Sequence, residues 1–280
     1  MKLFKTLIVG ASLLGSSLSA VTYEASVGVH DFIVTDIETG GVPEHIKDGT
    51  SHTLGLNVAL WVKHTTDKNI HILGKAETLF DRDKDELDAD HIPIWFDFLL
   101  DIDGPLYTLN ENNHLLWYVY LDNKQNTVSC IEREIRQHVG LGYAYTNNKF
   151  MAAFNAYAGF YYIEIDDDTP VARGYGREDT DDGEASHVIE FETSYQFTDN
   201  FSVYAYAKRY AMNTGGEALE DDFLVQFDYK NADFLNDNVG LHFKVRYINY
   251  DFDRFNKKGL PPMLPWDNET LVQAYATIPF

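Results

Sequence analysis

Apolar and polar residues alternate along most of this chain. From Val21 to His30 the odd positions are apolar and the even ones polar or small, and Leu54, Leu56, Val58, Leu60 and Val62 alternate with Thr53, Gly55, Asn57, Ala59 and Trp61. Phe223, Val225, Phe227 and Tyr229 interleave with Leu224, Gln226, Asp228 and Lys230, and Val239 to Tyr247 repeats the pattern around Gly240, His242, Lys244 and Arg246. A period of two sends successive side chains to opposite faces, so each segment reads as a strand with one apolar face. The pattern predicts twelve strands, near 21–34, 51–64, 69–80, 91–101, 113–122, 128–145, 149–165, 185–197, 200–212, 221–230, 238–250 and 268–280.

The connections predict how these strands are joined. Alternate gaps are long: 35–50, 81–90, 122–127 (the short exception), 166–184, 213–220 and 251–267. Between them lie tight turns at Thr65–Lys68, Thr146–Lys149 and Thr198–Asn200, with 102–112 and 231–237 longer than a turn needs. Long loops taking turns with short ones, over an even number of strands, predict an all-β, antiparallel up-and-down barrel with both ends on one side. Folding strands eight and nine about Thr198–Asn200 sets Glu190 opposite Lys208. Folding strands two and three about Thr65–Lys68 sets Asn57 opposite Glu77.

Composition narrows the class. Tyr and Phe number eighteen each against eight Pro, a strand-favouring balance. Lys2 and Lys5 ahead of the apolar run Leu7–Leu14, then Ser16 to Ala20, read as a cleavable export signal over 1–20. Beyond it no apolar run reaches the length of a transmembrane helix. Cys130 is the single cysteine, so no internal disulfide is expected. The formal charge of −22 argues against nucleic acid as a partner.

Alternation alone leaves open whether the apolar face points in or out. Twelve such faces rich in large aromatics would overfill a barrel, whereas lipid accepts them. Tyr143, Tyr145 and Phe150 beside one turn, and Phe197 and Phe201 beside another, fit an interfacial girdle. Val272, Ala274, Ala276, Ile278 and Phe280 form one face of the last strand. That ending resembles the terminal β-signal of Gram-negative outer-membrane proteins, which implies insertion by the barrel-assembly machinery, with Ile278 and Phe280 as the signal residues. The whole chain resembles twelve-stranded outer-membrane channels in size and organisation, which implies a transmembrane barrel with periplasmic termini in contact with outer-membrane lipid and lipopolysaccharide.

With that face outward, the opposite face carries charges of both signs: Glu24, His30, Lys63, Lys75, Glu77, Asp97, Glu132, Glu134, Arg136, His138, Glu190, Glu192, Lys208, Asp228, Lys244 and Arg246. Charges inside a membrane span need water or partners. Glu132, Glu134, Arg136, Glu190, Glu192, Lys208, Lys244 and Arg246 are the candidate pore lining. Arg133 and Arg209 face outward near the loop end and are candidates for lipopolysaccharide phosphates, since guanidinium suits phosphate. The loops are acidic. Asp81, Asp83 and Asp85 open like a calcium loop but lack its later Gly and Glu, so no metal site or cofactor is expected.

Catalysis is not expected. Outer-membrane phospholipases carry a His and a Ser two residues apart, and no His here has a Ser at that spacing; no G-x-S-x-G or H-E-x-x-H motif occurs. The expected function is a passive channel for small hydrophilic solutes. The alternative is a non-conducting surface barrel with a structural, adhesive or receptor role, or an autotransporter-like barrel without its passenger.

Overall fold

The computed structural model describes residues 21–35, 50–81, 94–125, 131–165, 174–176, 179, 183–212, 217–230, 239–264 and 266–280. The expected export signal and most of the acidic loop segments lie outside these. Twelve strands form one closed antiparallel barrel in sequence order, sealed by pairing of the last strand on the first. They are β1 (Thr22–Thr35), β2 (Thr50–Thr65), β3 (His71–Asp81), β4 (Ile94–Asn110), β5 (Asn113–Gln125), β6 (Ile131–Thr146), β7 (Phe150–Ile165), β8 (Glu184–Thr198), β9 (Phe201–Met212), β10 (Glu217–Lys230), β11 (Gly240–Tyr250) and β12 (Asn268–Pro279). Closure leaves no free edge, the condition for backbone to cross a membrane as sheet.

The apolar phase of each strand faces outward. Val27 and Val29 on β1, Leu54, Leu56, Val58 and Leu60 on β2, and Val139 and Leu141 on β6 each keep more than half or nearly half of their surface exposed, as Phe280 does. The expected aromatic girdle takes shape near one end of the wall. Tyr195, Phe197, Phe201, Phe227 and Phe243 touch ring to ring across β8 to β11, with centroids 4.7 to 6.5 Å apart.

Local chemistry sets the turns at that end, called here the turn end. The Asn147 side-chain carbonyl accepts bonds from the amides of Lys149 and Phe150, and the Thr198 hydroxyl accepts from Asn200 and Phe201. Asn69 adopts φ 59°, a left-handed value that asparagine tolerates.

Several details differ from the sequence reading, among them β5, which runs on to Gln125 through most of the expected loop 122–127. The β2–β3 turn runs to His71, so Glu77 faces Ala59 and Asn57 faces Leu79, two residues away from the expected register. The segment 102–112 is not an oversized connection: β4 continues through Gly104 and Pro105 to Asn110 and turns in two residues. Irregular pairing after Pro105 and Thr108 absorbs the proline, which cannot donate to a ladder. Finally, β10 starts at Glu217, inside the segment expected as loop 213–220, with a bulge at Leu219. The predicted opposition of Glu190 and Lys208 is present as drawn.

Candidate functional site

The lumen is stratified along the barrel axis. At the loop end, opposite the short turns, the inward side chains are apolar. Phe32 and Val34 on β1, Leu79 on β3, Trp95 on β4, Tyr161 and Ile163 on β7, Val188 on β8, Tyr210 and Met212 on β9, and Ile248 on β11 form one buried cluster. The segment after β11 folds onto it and inserts Phe252, Met263, Leu264 and Trp266; Trp266 is 1% exposed. Hydrogen bonds hold this strap in place. Tyr175 donates to the Pro261 carbonyl and accepts from the Lys257 amide, both at 2.9 Å, and the Asn256 side chain accepts from the Met263 amide at 2.8 Å. Arg254 reaches Glu184 at 3.0 Å and Lys257 reaches Asp179 at 2.5 Å. The hydrogen bond from Lys257 holds the Asp179 carboxyl below its ordinary value of 3.8.

Beneath this cap lies an ionic knot. Arg136 on β6 is fully buried and reaches Asp122 (3.0 Å), Glu134 (2.6 Å) and Glu220 (2.6 Å), while its guanidinium lies 5.2 Å from the ring centres of Tyr161 and Tyr210. Tyr161 donates to Glu220 at 3.0 Å and also bonds Glu134. Lys124 stands 3.4 Å from Glu134 and 3.8 Å from Glu269. The bulge in β10 buries two successive side chains, so Leu219 enters the cap while Glu220 reaches Arg136.

Toward the turn end the lumen widens into a cavity of about 150 Å³. Its charged lining is Lys75, Lys124, Lys208, Lys244 and Arg246 against Glu77, Asp97, Asp101, Asp122 and Glu269, with the rings of Trp61, Tyr120, Tyr204 and Tyr206 between them. Lys75 bonds Asp97 and, at 3.0 Å, Glu77. Arg246 clamps Asp222 through two bonds of 3.0 and 2.9 Å. A second space of about 60 Å³ adjoins it, lined by Asp101, Asp103, Glu190, Glu192 and Lys208 among others. There Lys208 meets Glu190 at 3.1 Å, and Asn155, Tyr157 and Tyr204 donate to the two glutamates.

The expected pore-lining residues therefore fall into three settings. Lys208, Lys244 and Arg246 line the larger cavity, Glu190 and Glu192 the smaller one, and Glu134 and Arg136 the closed knot. The side chain of Glu132 lies outside the described residues. Arg133 and Arg209 do face outward, yet each is held by a carboxylate of the next strand. Arg133 lies 3.1 Å from Glu164, and Arg209 makes a two-pronged pair with Asp221 at 2.7 and 2.6 Å. Asp101, Asp122, Lys124, Asp222, Glu220 and Glu269 join the site without having been expected there. The first four share the inward phase of their strands with Asp97, Tyr120 and Asp228; Lys124 and Glu220 fall in segments expected as loops, and Asp122 on the boundary of strand 113–122 and its loop. Among the described residues no cluster suited to a metal ion occurs.

Neither a family model nor a curated protein sequence matches the chain. Solved structures with a similar fold are outer-membrane barrels. The KdgM porin in complex with disordered oligogalacturonate shares 8% identity at a TM-score of 0.47, covering 91% of this chain and 99% of that one. An outer-membrane channel from Pseudomonas putida F1 shares 11% at 0.48, covering 95% and 99%. The NanC porin shares 8% at 0.46, covering 91% and 98%.

Proposed function

We propose that this chain is an outer-membrane channel for passive passage of small hydrophilic solutes, with its loop end outside the cell and its turn end in the periplasm. One observation carries the reading: a cavity lined by ten charged side chains lies inside a barrel whose outer wall is apolar and banded with aromatics. A wall of that kind suits lipid. A charged interior of that size suits water and ions rather than a packed core.

The test is conductance. Folded protein in a planar lipid bilayer is expected to give discrete unitary openings, and their absence would overturn the channel. The apolar cap favours a second reading, a non-conducting surface barrel with a structural, adhesive or receptor role, and the same recording decides between the two. In the channel reading the cap makes the conformation described here a closed one.

Two contacts with the surroundings go with this proposal. Ile278 and Phe280 serve as the insertion signal for the barrel-assembly machinery. Arg133 and Arg209 meet lipopolysaccharide phosphate only by exchanging Glu164 and Asp221 for it, so charge reversal of both arginines is expected to lower lipopolysaccharide retention in the purified protein. Unchanged retention would leave them as intramolecular pairs alone. No catalytic step is proposed.

A further inference from the structure

Eight of the ten charged side chains in the larger cavity are engaged with an opposite charge. Lys244 and Asp101 are the exceptions: among the described residues neither forms a hydrogen bond or ion pair. The reason is the same for both. The carboxylates facing Lys244 are Glu77 and Asp97, and both are bonded to Lys75, while Gln273 donates a further 2.7 Å bond to Glu77. The cations facing Asp101 are Lys208 and His71, taken by Glu190 at 3.1 Å and by Asp103 at 2.8 Å. Lys244 is on β11 and Asp101 on β4, five strands apart around a ring of twelve, so the two charges approach the cavity from nearly opposite walls.

Both side chains keep part of their surface open to the cavity; an ionised group withdrawn from most of its water without a partner is still costly, and a ligand that supplies the partner recovers that cost. One unmatched cation and one unmatched carboxylate across a single space ask for a solute bearing both signs. A cavity near 150 Å³ limits it to a body about the size of benzene. We propose that the larger cavity is a binding site for a small zwitterion of the amino-acid kind, its carboxylate on Lys244 and its ammonium on Asp101. This deepens the channel reading and rests on it for the route of entry. A channel site must also release its solute, so the binding is weak and saturable.

The probes are alanine, propionate and ethylammonium, bound to the folded protein in detergent micelles and followed by ligand-observed NMR. Alanine is expected to saturate the site at least tenfold more tightly than either single-charge analogue. Lys244→Gln should weaken alanine and propionate while leaving ethylammonium unchanged, and Asp101→Asn should do the reverse. Neither substitution removes a bonded group, and the comparison of three solutes on the unaltered protein decides the matter even where a variant fails to fold. Equal binding of the three, or no binding of alanine, overturns the zwitterion site. Unitary conductance without alanine binding sinks this proposal alone; alanine binding without conductance sinks the channel alone.

Discussion

Phe32, Val34 and Trp266 at the loop end are packed in one apolar cluster, whereas Lys244 and Asp101, deeper in the same lumen, face a cavity with no bonded partner among the described residues. Both regions are built from inward positions of the same strands: Trp95 and Asp101 share β4, and Ile248 and Lys244 share β11. The difference teaches where this barrel excludes water and where it keeps room for it. An apolar layer has nothing to offer an ion, so a solute crosses it only if the strap moves. A charged layer binds water and solute but would be unstable if dry. The Arg136 knot lies between the cap and part of the cavity, whose lining takes Asp122 and Lys124 from the knot and Leu79, Trp95 and Ile248 from the apolar cluster.

Breaking that knot should have the largest effect. Arg136→Met leaves Asp122, Glu134 and Glu220 together with their main cation gone, and removal of one partner from a buried ionic group costs about 3–5 kcal/mol. Urea unfolding of the protein in lipid vesicles measures this, and a loss under about 1 kcal/mol would show that water already reaches the knot. Next comes the cap itself. Trp266→Ala removes a fully buried indole at a cost of about 3–5 kcal/mol, borne by the strap rather than by the barrel wall. Its expected signature is therefore a higher open probability in bilayer recordings with little change in barrel unfolding. An unchanged open probability would mean that the strap does not block the path.

The charged layer is tested by its ion preference. Neutralising Lys244 and Arg246 together should move the reversal potential in a salt gradient toward cation selectivity, because the acids of the cavity then outnumber its bases. A shift toward anions would place the selective point elsewhere in the lumen.

The contrast between the two regions also explains what could be read from the sequence. The barrel was legible because a half-lipid, half-lumen strand must alternate, and long loops must take turns with short ones. At the loop end both faces are apolar, as in Phe32-Ile33-Val34 and Tyr161-Tyr162-Ile163, so the alternation fades just where the cap forms. Nothing in the run from Asp251 to Asp267 indicates that Trp266 turns back into the lumen. The mid-lumen charges are largely visible from their phase, but those at strand ends are not: Lys124 and Glu220 sit in segments expected as loops, and Asp122 on the shared boundary of strand 113–122 and the loop after it. The knot was out of reach for another reason. Arg136 and Glu220 are 84 residues apart, and only the closed curvature of the barrel together with the β10 bulge brings them to 2.6 Å.

The smallest effect is expected at the outer face of the cap, where Lys257 holds Asp179. The pair lies at the surface and is worth under about 1 kcal/mol, yet its pH dependence has a definite sign. The Asp179 carboxyl is held below 3.8 by the hydrogen bond from Lys257. A group with a depressed folded value contributes fully above its unfolded value and loses that contribution as pH falls through the folded one. The strap should therefore be equally secure across the neutral range and loosen only below pH 3.8. Open probability recorded against pH gives the check: Asp179→Asn should raise it slightly at neutral pH and remove that part of its acid dependence. The Trp266→Ala effect, which involves no titrating group, should stay the same at every pH. If instead the protein opens on crossing from pH 7 toward the unperturbed histidine range, the strap is controlled from another contact and Asp179 is a bystander.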